Sequence, residues 1–160
     1  MLDVDPTVYH QSWPVRHYEL DSNGHVNNAV YLQYAEHLTI EHAERSGFGV
    51  AWTTAHGGAW FVHRNHVTYH EAARYGDVLD LTVEVRYVGG TRGVRLTTIR
   101  RQRDLALFAE VLTEWVWVRL EDGRPRRVPT ELVEAARAVT AATLARNPTL
   151  IQDLRRGVRT

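Results

Sequence analysis

The strongest constraint on how this chain can fold lies in residues 28 to 45, a run with neither Gly nor Pro whose first three turns are crowded with apolar groups. Tyr31, Tyr34, Ala35, Leu38 and Ile40 fall there, while Glu36, Glu41, His42, Glu44 and Arg45 gather toward the far end. The run reads as a helix whose N-terminal half is buried nearly all round, and such a helix folds only if another layer envelops it. Asn27 or Asn28 suits its N-cap, and Gly47 followed by Phe48 suits a left-handed stop with an apolar contact behind it.

After Gly57-Gly58 the pattern changes to period two. Leu79, Leu81, Val83, Val85 and Tyr87 alternate with Asp80, Thr82, Glu84 and Arg86, which predicts a half-buried strand. A Gly-rich turn at residues 88 to 93 leads into strands over 94 to 103 and 105 to 120, the latter closed by Glu121-Asp122-Gly123. Residues 60 to 70 read as an earlier strand of the set. A short first strand is expected within residues 9 to 18, where Pro14 confines it to a sheet edge or to a start after the proline. Thr130 ahead of Glu131 and Glu134 opens an Ala-rich helix over 130 to 144, which Asn147-Pro148 interrupts.

Strands joined by short turns imply an antiparallel sheet, so the expectation is an α+β fold with the sheet wrapped around a long central helix and an added C-terminal helix. A chain of 160 residues suits one domain, here residues 1–128 with a helical extension over 129–160. A curled sheet leaves edges that two copies can pair, so a homodimer or homotetramer is expected.

Composition narrows the chemistry. The 19 basic and 19 acidic residues cancel, so no net field draws the chain to nucleic acid or to an anionic membrane. All the basic residues are Arg, which excludes a lysine Schiff base, and the lack of Cys excludes disulfides, thiolate nucleophiles and Cys-ligated zinc. No stretch approaches the roughly 20 apolar residues of a membrane span, and the acidic N-terminus does not resemble a secretory signal, so a cytoplasmic location is expected. His63, His66, His70 and Glu71 are metal-ligand types, yet His63 should face away from the other two along a strand, and no HExxH helix is present; no metal or cofactor is expected. The absence of GxSxG argues against a serine hydrolase. Ten Arg against five acidic residues between 86 and 127 read as a salt-bridged sheet face, with a phosphate or acidic-carrier patch as the functional alternative.

The densest chemical signal is residues 15 to 34, VRHYELDSNGHVNNAVYLQY. A carboxylate, Asp21, sits with Asn23 and His25 on a turn-forming loop that enters the N-terminus of the buried helix. Free backbone N–H groups and the positive end of a helix dipole favour developing negative charge, so a carbonyl seated there is polarised. A thioester needs little more, because its thiolate leaves readily, with a thiol pKa of roughly 8.5. Asp21 then either attacks the carbonyl or deprotonates the attacking water, and Asn23 and His25 orient water or carbonyl.

The run Asp21-Ser-Asn-Gly-His-Val-Asn-Asn-Ala-Val-Tyr-Leu resembles the signature of the 4-hydroxybenzoyl-CoA thioesterase-like hotdog family, and its Asp-x-Asn-x-His-Val-Asn-Asn portion is similar to acyl-ACP thioesterases. The resemblance implies a hotdog fold over about residues 10 to 128, Asp21 as catalytic carboxylate, and the Asn28 N–H or a neighbour polarising the carbonyl. From the acyl-ACP branch it adds Asn23 and His25. It also implies a dimer or tetramer with the site at the dimer interface, and a substrate that is acyl-CoA or acyl-ACP. This chain has Glu19-Leu20 where many members have Asp or Thr-Asp ahead of the acid. Tyr31, Tyr34, Trp60 and His63 are expected at the substrate, and Trp52, Trp60, Phe61 and Tyr34 are candidates to line an acyl pocket. Another hotdog branch uses a helical Glu, but Glu36 and Glu41 read as structural or solvated acids. The alternatives are an enoyl-thioester hydratase or dehydratase and a non-catalytic acyl-CoA-binding protein.

Overall fold

The computed structural model describes residues 4–156. In chain order the elements are β1 (Val8–Pro14), a single 3-10 turn (His17–Glu19), α1 (Val30–Ser46), α2 (Val50–Ala55), β2 (Gly58–Tyr69), β3 (Val78–Gly89), β4 (Arg92–Arg101), β5 (Leu107–Arg119), α3 (Thr130–Ala135), α4 (Arg137–Arg146) and α5 (Leu150–Arg156). All strand pairs are antiparallel, in the order β1-β3-β4-β5-β2. β3, β4 and β5 follow one another through short turns and take the centre, so the two strands that precede them take the edges. Pro14 ends an edge strand, where its missing N–H breaks no internal ladder.

The period-two pattern lays one face of β3 against α1. Leu79, Leu81 and Val83 are fully buried with Ile99, Phe108 and Ala109, and Leu38 of α1 packs into the same cluster. Burying a side chain of Leu38's size stabilises the fold by roughly 1.5–3 kcal/mol.

α1 differs from expectation in two respects. Its buried residues are Tyr31, Tyr34, Ala35, Leu38, Thr39 and His42, a single stripe at three- and four-residue spacing, and not the whole circumference of the N-terminal half. Ile40 is half exposed on the outer face, because the sheet of one chain covers only one side. Its N-cap is Ala29, with no side-chain cap; Asn27 instead accepts the Ala29 N–H at 2.9 Å. The C-terminal stop is as expected: Gly47 is left-handed at φ 86°, and the Phe48 N–H donates to the Ala43 carbonyl.

The C-terminal helix is broken where one was expected. The bend falls at Ala136, buried among Val85, Val88, Trp117 and Val128, so both short helices stay against the sheet. Thr140 accepts the Val88 N–H at 3.0 Å, and Leu154 of α5 packs with Tyr87 and Val94. Within the Arg-rich stretch Arg86, Arg92, Arg101, Arg103, Arg119 and Arg124 pair with carboxylates, and Arg64 joins Arg92 on Glu114, whereas Arg95, Arg100, Arg126 and Arg127 meet none among the described residues. No helix among the described residues is long and apolar enough to cross a membrane.

Candidate active site

Residues 19 to 27 form a tight hairpin at the head of α1. The Glu19 carbonyl accepts the Asn27 N–H at 2.9 Å, and the Asp21 N–H donates to the His25 carbonyl at 2.7 Å, with Leu20 and Val26 bridged between them. Gly24 closes the tip by donating to the Asp21 carbonyl at 3.1 Å, and at φ 74° it occupies the left-handed region that glycine adopts without a Cβ clash. The hairpin is tied to the rest of the fold by the Val26 N–H, which donates to Ala73 at 2.8 Å.

This turn holds the Asp21 side chain in place. Oδ1 accepts the Asn23 N–H at 2.9 Å and the His25 N–H at 3.1 Å, while Oδ2 accepts nothing from the described residues. One oxygen is anchored by the turn and the other is not.

The start of α1 supplies donors. The Val30 N–H is satisfied by the Asn27 carbonyl, but the N–H groups of Asn28 and Tyr31 meet no acceptor among the described residues. They sit at the positive end of a 17-residue helix. The Asn28 carbonyl accepts the Tyr69 hydroxyl at 2.7 Å, so the last residue of β2 pins the helix entry.

Beneath lie two tyrosines. Tyr31, almost fully buried, accepts the Ala73 N–H on its hydroxyl at 3.3 Å, and burial pushes its phenol up. Tyr34 stacks edge-on with Tyr31 and Trp13; burial and then the neighbouring Glu19 carboxylate push its phenol up. Glu19 is itself buried, its Oε1 accepting the Arg16 N–H at 2.7 Å. Sequence reasoning noticed Glu19 only as a departure from a motif, and nothing in the residue order signals that it is buried beside Tyr34.

The other expected site residues are dispersed within the chain. Asn23 is exposed at the hairpin tip, His25 is half-buried, and neither side chain is hydrogen-bonded among the described residues. Trp60 packs on Trp117 with ring centroids 5.2 Å apart, in the cluster that also holds Trp52. His63 is exposed at a bulge in β2, where Val62 pairs with Trp115 and Arg64 with Glu114. Tyr34, Trp52 with Trp60, and exposed Phe61 therefore do not line one pocket in a single chain, since Tyr34 belongs to one core cluster, the two tryptophans to another, and Phe61 to the outer sheet face. Glu36 is exposed and Glu41 pairs with Arg45, both ordinary helix acids. Among the described residues no three His, Asp or Glu side chains gather as a metal site.

An antiparallel sheet packed on α1 is the architecture of the hotdog fold. The chain belongs to the thioesterase-like superfamily, which matches residues 15–136, and it is a thioester hydrolase. It is 30% identical over 120 residues to the long-chain acyl-CoA thioesterase FadM of Escherichia coli K12, covering 75% of this chain and 90% of FadM. It is 31% identical over 124 residues to the acyl-CoA thioester hydrolase YbgC of Escherichia coli, covering 76% of this chain and 91% of YbgC. The crystal structure of YbaW, a probable thioesterase from Escherichia coli, superimposes with a TM-score of 0.73 at 27% identity, over 82% of this chain and 98% of YbaW.

Proposed function

We propose that this enzyme hydrolyses acyl-CoA thioesters, with Asp21 as the reacting carboxylate and the backbone N–H groups of Asn28 and Tyr31 as the oxyanion hole. The observation that carries this reading is the unequal pair of oxygens on Asp21, one clamped by two backbone N–H groups and one free, on the turn that enters a helix with unsatisfied donors. The names of FadM and YbgC support CoA as the carrier. In one route Oδ2 attacks the carbonyl carbon, the C–S bond breaks to release thiolate, and water hydrolyses the mixed anhydride to free acid and Asp21. In the other Oδ2 takes a proton from water, the hydroxide adds to the carbonyl carbon, and the proton passes to the departing thiolate. Either way the oxyanion accepts from the helix-start N–H groups, and Tyr31 forms the floor below them.

Two copies pair along β2 in this reading. β2 is a sheet edge with exposed Phe61 and Val62, and a long unpaired edge of that kind calls for a partner. Because Tyr69 at the end of β2 holds the Asn28 carbonyl, an interface along β2 runs beside the helix start, and the second copy closes the groove over Asp21.

The test is Asp21→Asn, which keeps an acceptor for both turn N–H groups but removes the carboxylate. Turnover of a panel of short, long and aromatic acyl-CoAs, repeated with acyl-ACP, should fall by about 10²–10⁴ with the fold intact. Activity within a few-fold of the parent would remove Asp21 from the mechanism, and faster turnover of acyl-ACP would replace CoA as the carrier.

A further inference from the structure

The hairpin that carries Asp21 has two faces of opposite character. Within it Asp21 stands opposite His25 and Leu20 opposite Val26, and a third segment joins where Arg74 bridges His25 and the Val26 N–H meets the Ala73 carbonyl. Residues opposite one another in antiparallel pairs send their side chains to the same face, and neighbours along a strand alternate. Leu20, Val26 and Ala73 therefore form one row, which packs into the core around Tyr31, with Val26 and Ala73 almost wholly enclosed. Asp21, His25 and Arg74 form the other row, on the face toward solvent, with Asp21 and His25 half-buried and Arg74 exposed.

Both acids within three residues of Arg74 are engaged elsewhere. Glu71 lies 2.6 Å from Arg101, and Asp77 accepts the Arg74 backbone N–H on Oδ2 at 2.9 Å while its Oδ1 lies 3.3 Å from Arg101. The Arg74 guanidinium meets no acceptor among the described residues. Other surface arginines lack a carboxylate too; Arg74 differs in its register, two strand spacings, about 10 Å, across from Asp21. A thioester substrate has two halves with opposite needs. Its acyl chain gains by leaving water, and below the start of α1 Trp13, Tyr31 and Tyr34 supply apolar surface. Its thiol half carries phosphate and must stay solvated, so it runs over the solvent-facing row that begins at Asp21. Two strand spacings and the length of an arginine side chain together match the reach of a pantetheine arm from its sulfur to its first phosphate. A guanidinium there can grip a phosphate through paired hydrogen bonds, which a point charge cannot do.

We propose that Arg74 is a specificity-determining residue that binds the phosphate joined to the pantetheine arm of the substrate, the group common to acyl-CoA and to the acyl-phosphopantetheine of a carrier protein. The proposal rests on Asp21 marking the place of the reacting carbonyl. Its test compares one acyl group on three thiols, pantetheine, 4′-phosphopantetheine and CoA, with the parent and with Arg74→Gln. The variant should raise KM for both phosphorylated thiols by at least about threefold, a size that an exposed charge pair supplies. It should leave kcat within about twofold and KM for acyl-pantetheine unchanged. Arg74→Lys, which keeps the charge without the planar fork, should fall between parent and Arg74→Gln. Added salt should raise the parent's KM for acyl-CoA more than that of Arg74→Gln. The Arg74 side chain holds no other described residue, so both variants should unfold at the parent's temperature. A smaller rise in KM for acyl-4′-phosphopantetheine, an equal rise for acyl-pantetheine, or a loss confined to kcat overturns the proposal. The outcome is separable from that of the nucleophile: an active Asp21→Asn removes the catalytic reading, whereas the KM ratio between phosphorylated and unphosphorylated thiols decides the role of Arg74.

Discussion

His42 makes the stability of this protein depend on pH in a predictable window. Burial, and secondarily the Arg95 guanidinium, lowers its imidazole from the ordinary 6.5 to about 4. Protonating it in the folded state would turn its Nδ1 into a donor facing Arg95, although the Asp5 carbonyl and nearby carboxylate partly offset this and Tyr9 stacks on the ring. In the unfolded chain the imidazole takes a proton below about 6.5, whereas the folded one resists until about 4. The stabilisation from a neutral His42 is therefore complete above the unfolded value, declines as pH falls through this window, and is gone below about 4. At about 1.4 kcal/mol per tenfold in proton affinity, the difference is worth roughly 3 kcal/mol. Urea unfolding of the parent and of His42→Gln at pH 7, 5.5 and 4 isolates it, because the carboxylates that titrate in the same range are common to both. The parent should lose roughly 3 kcal/mol more than the variant between pH 7 and 4. Equal losses in the two proteins, or a difference that develops only below pH 4, would refute the account.

Three further outcomes test the scaffold. A Cβ at Gly58 overlaps the ring of Trp117, which is fully buried, so Gly58→Ala should destabilise by about 1–3 kcal/mol in thermal unfolding despite the better strand propensity of alanine. Val62→Lys puts a charge on the exposed β2 edge and tests the proposed pairing there: light scattering should show a dimeric parent and a monomeric variant, with turnover lost in proportion. Tyr69→Phe removes the hydroxyl that holds the Asn28 carbonyl; it should cost about 0.5–1.5 kcal/mol of stability and lower kcat more than it raises KM.

The residue order conveyed the alternating strands, the helix with its Gly47 stop, and a carboxylate on a turn ahead of that helix, because each is a short-range pattern. Periodicity, a left-handed glycine and a cluster of turn formers act within a few residues and need no knowledge of the partner. The strict alternation of β3 made the sheet readable, and the turn at Asp21-Ser-Asn-Gly made the catalytic candidate readable.

Long-range pairing settled the rest. Which side of α1 is buried depends on a sheet that covers one face, so apolar Ile40 remains outside while polar His42 is enclosed. The guanidinium that meets His42 comes from β4, more than fifty residues away, through a strand register that composition does not encode. Tyr34 and the pair Trp52 and Trp60, all aromatic and all plausible neighbours in a list of letters, fall into two separate clusters once the helices and sheet have packed. Local chemistry is written along the chain, but proximity between distant segments exists only once burial of apolar surface has chosen one packing.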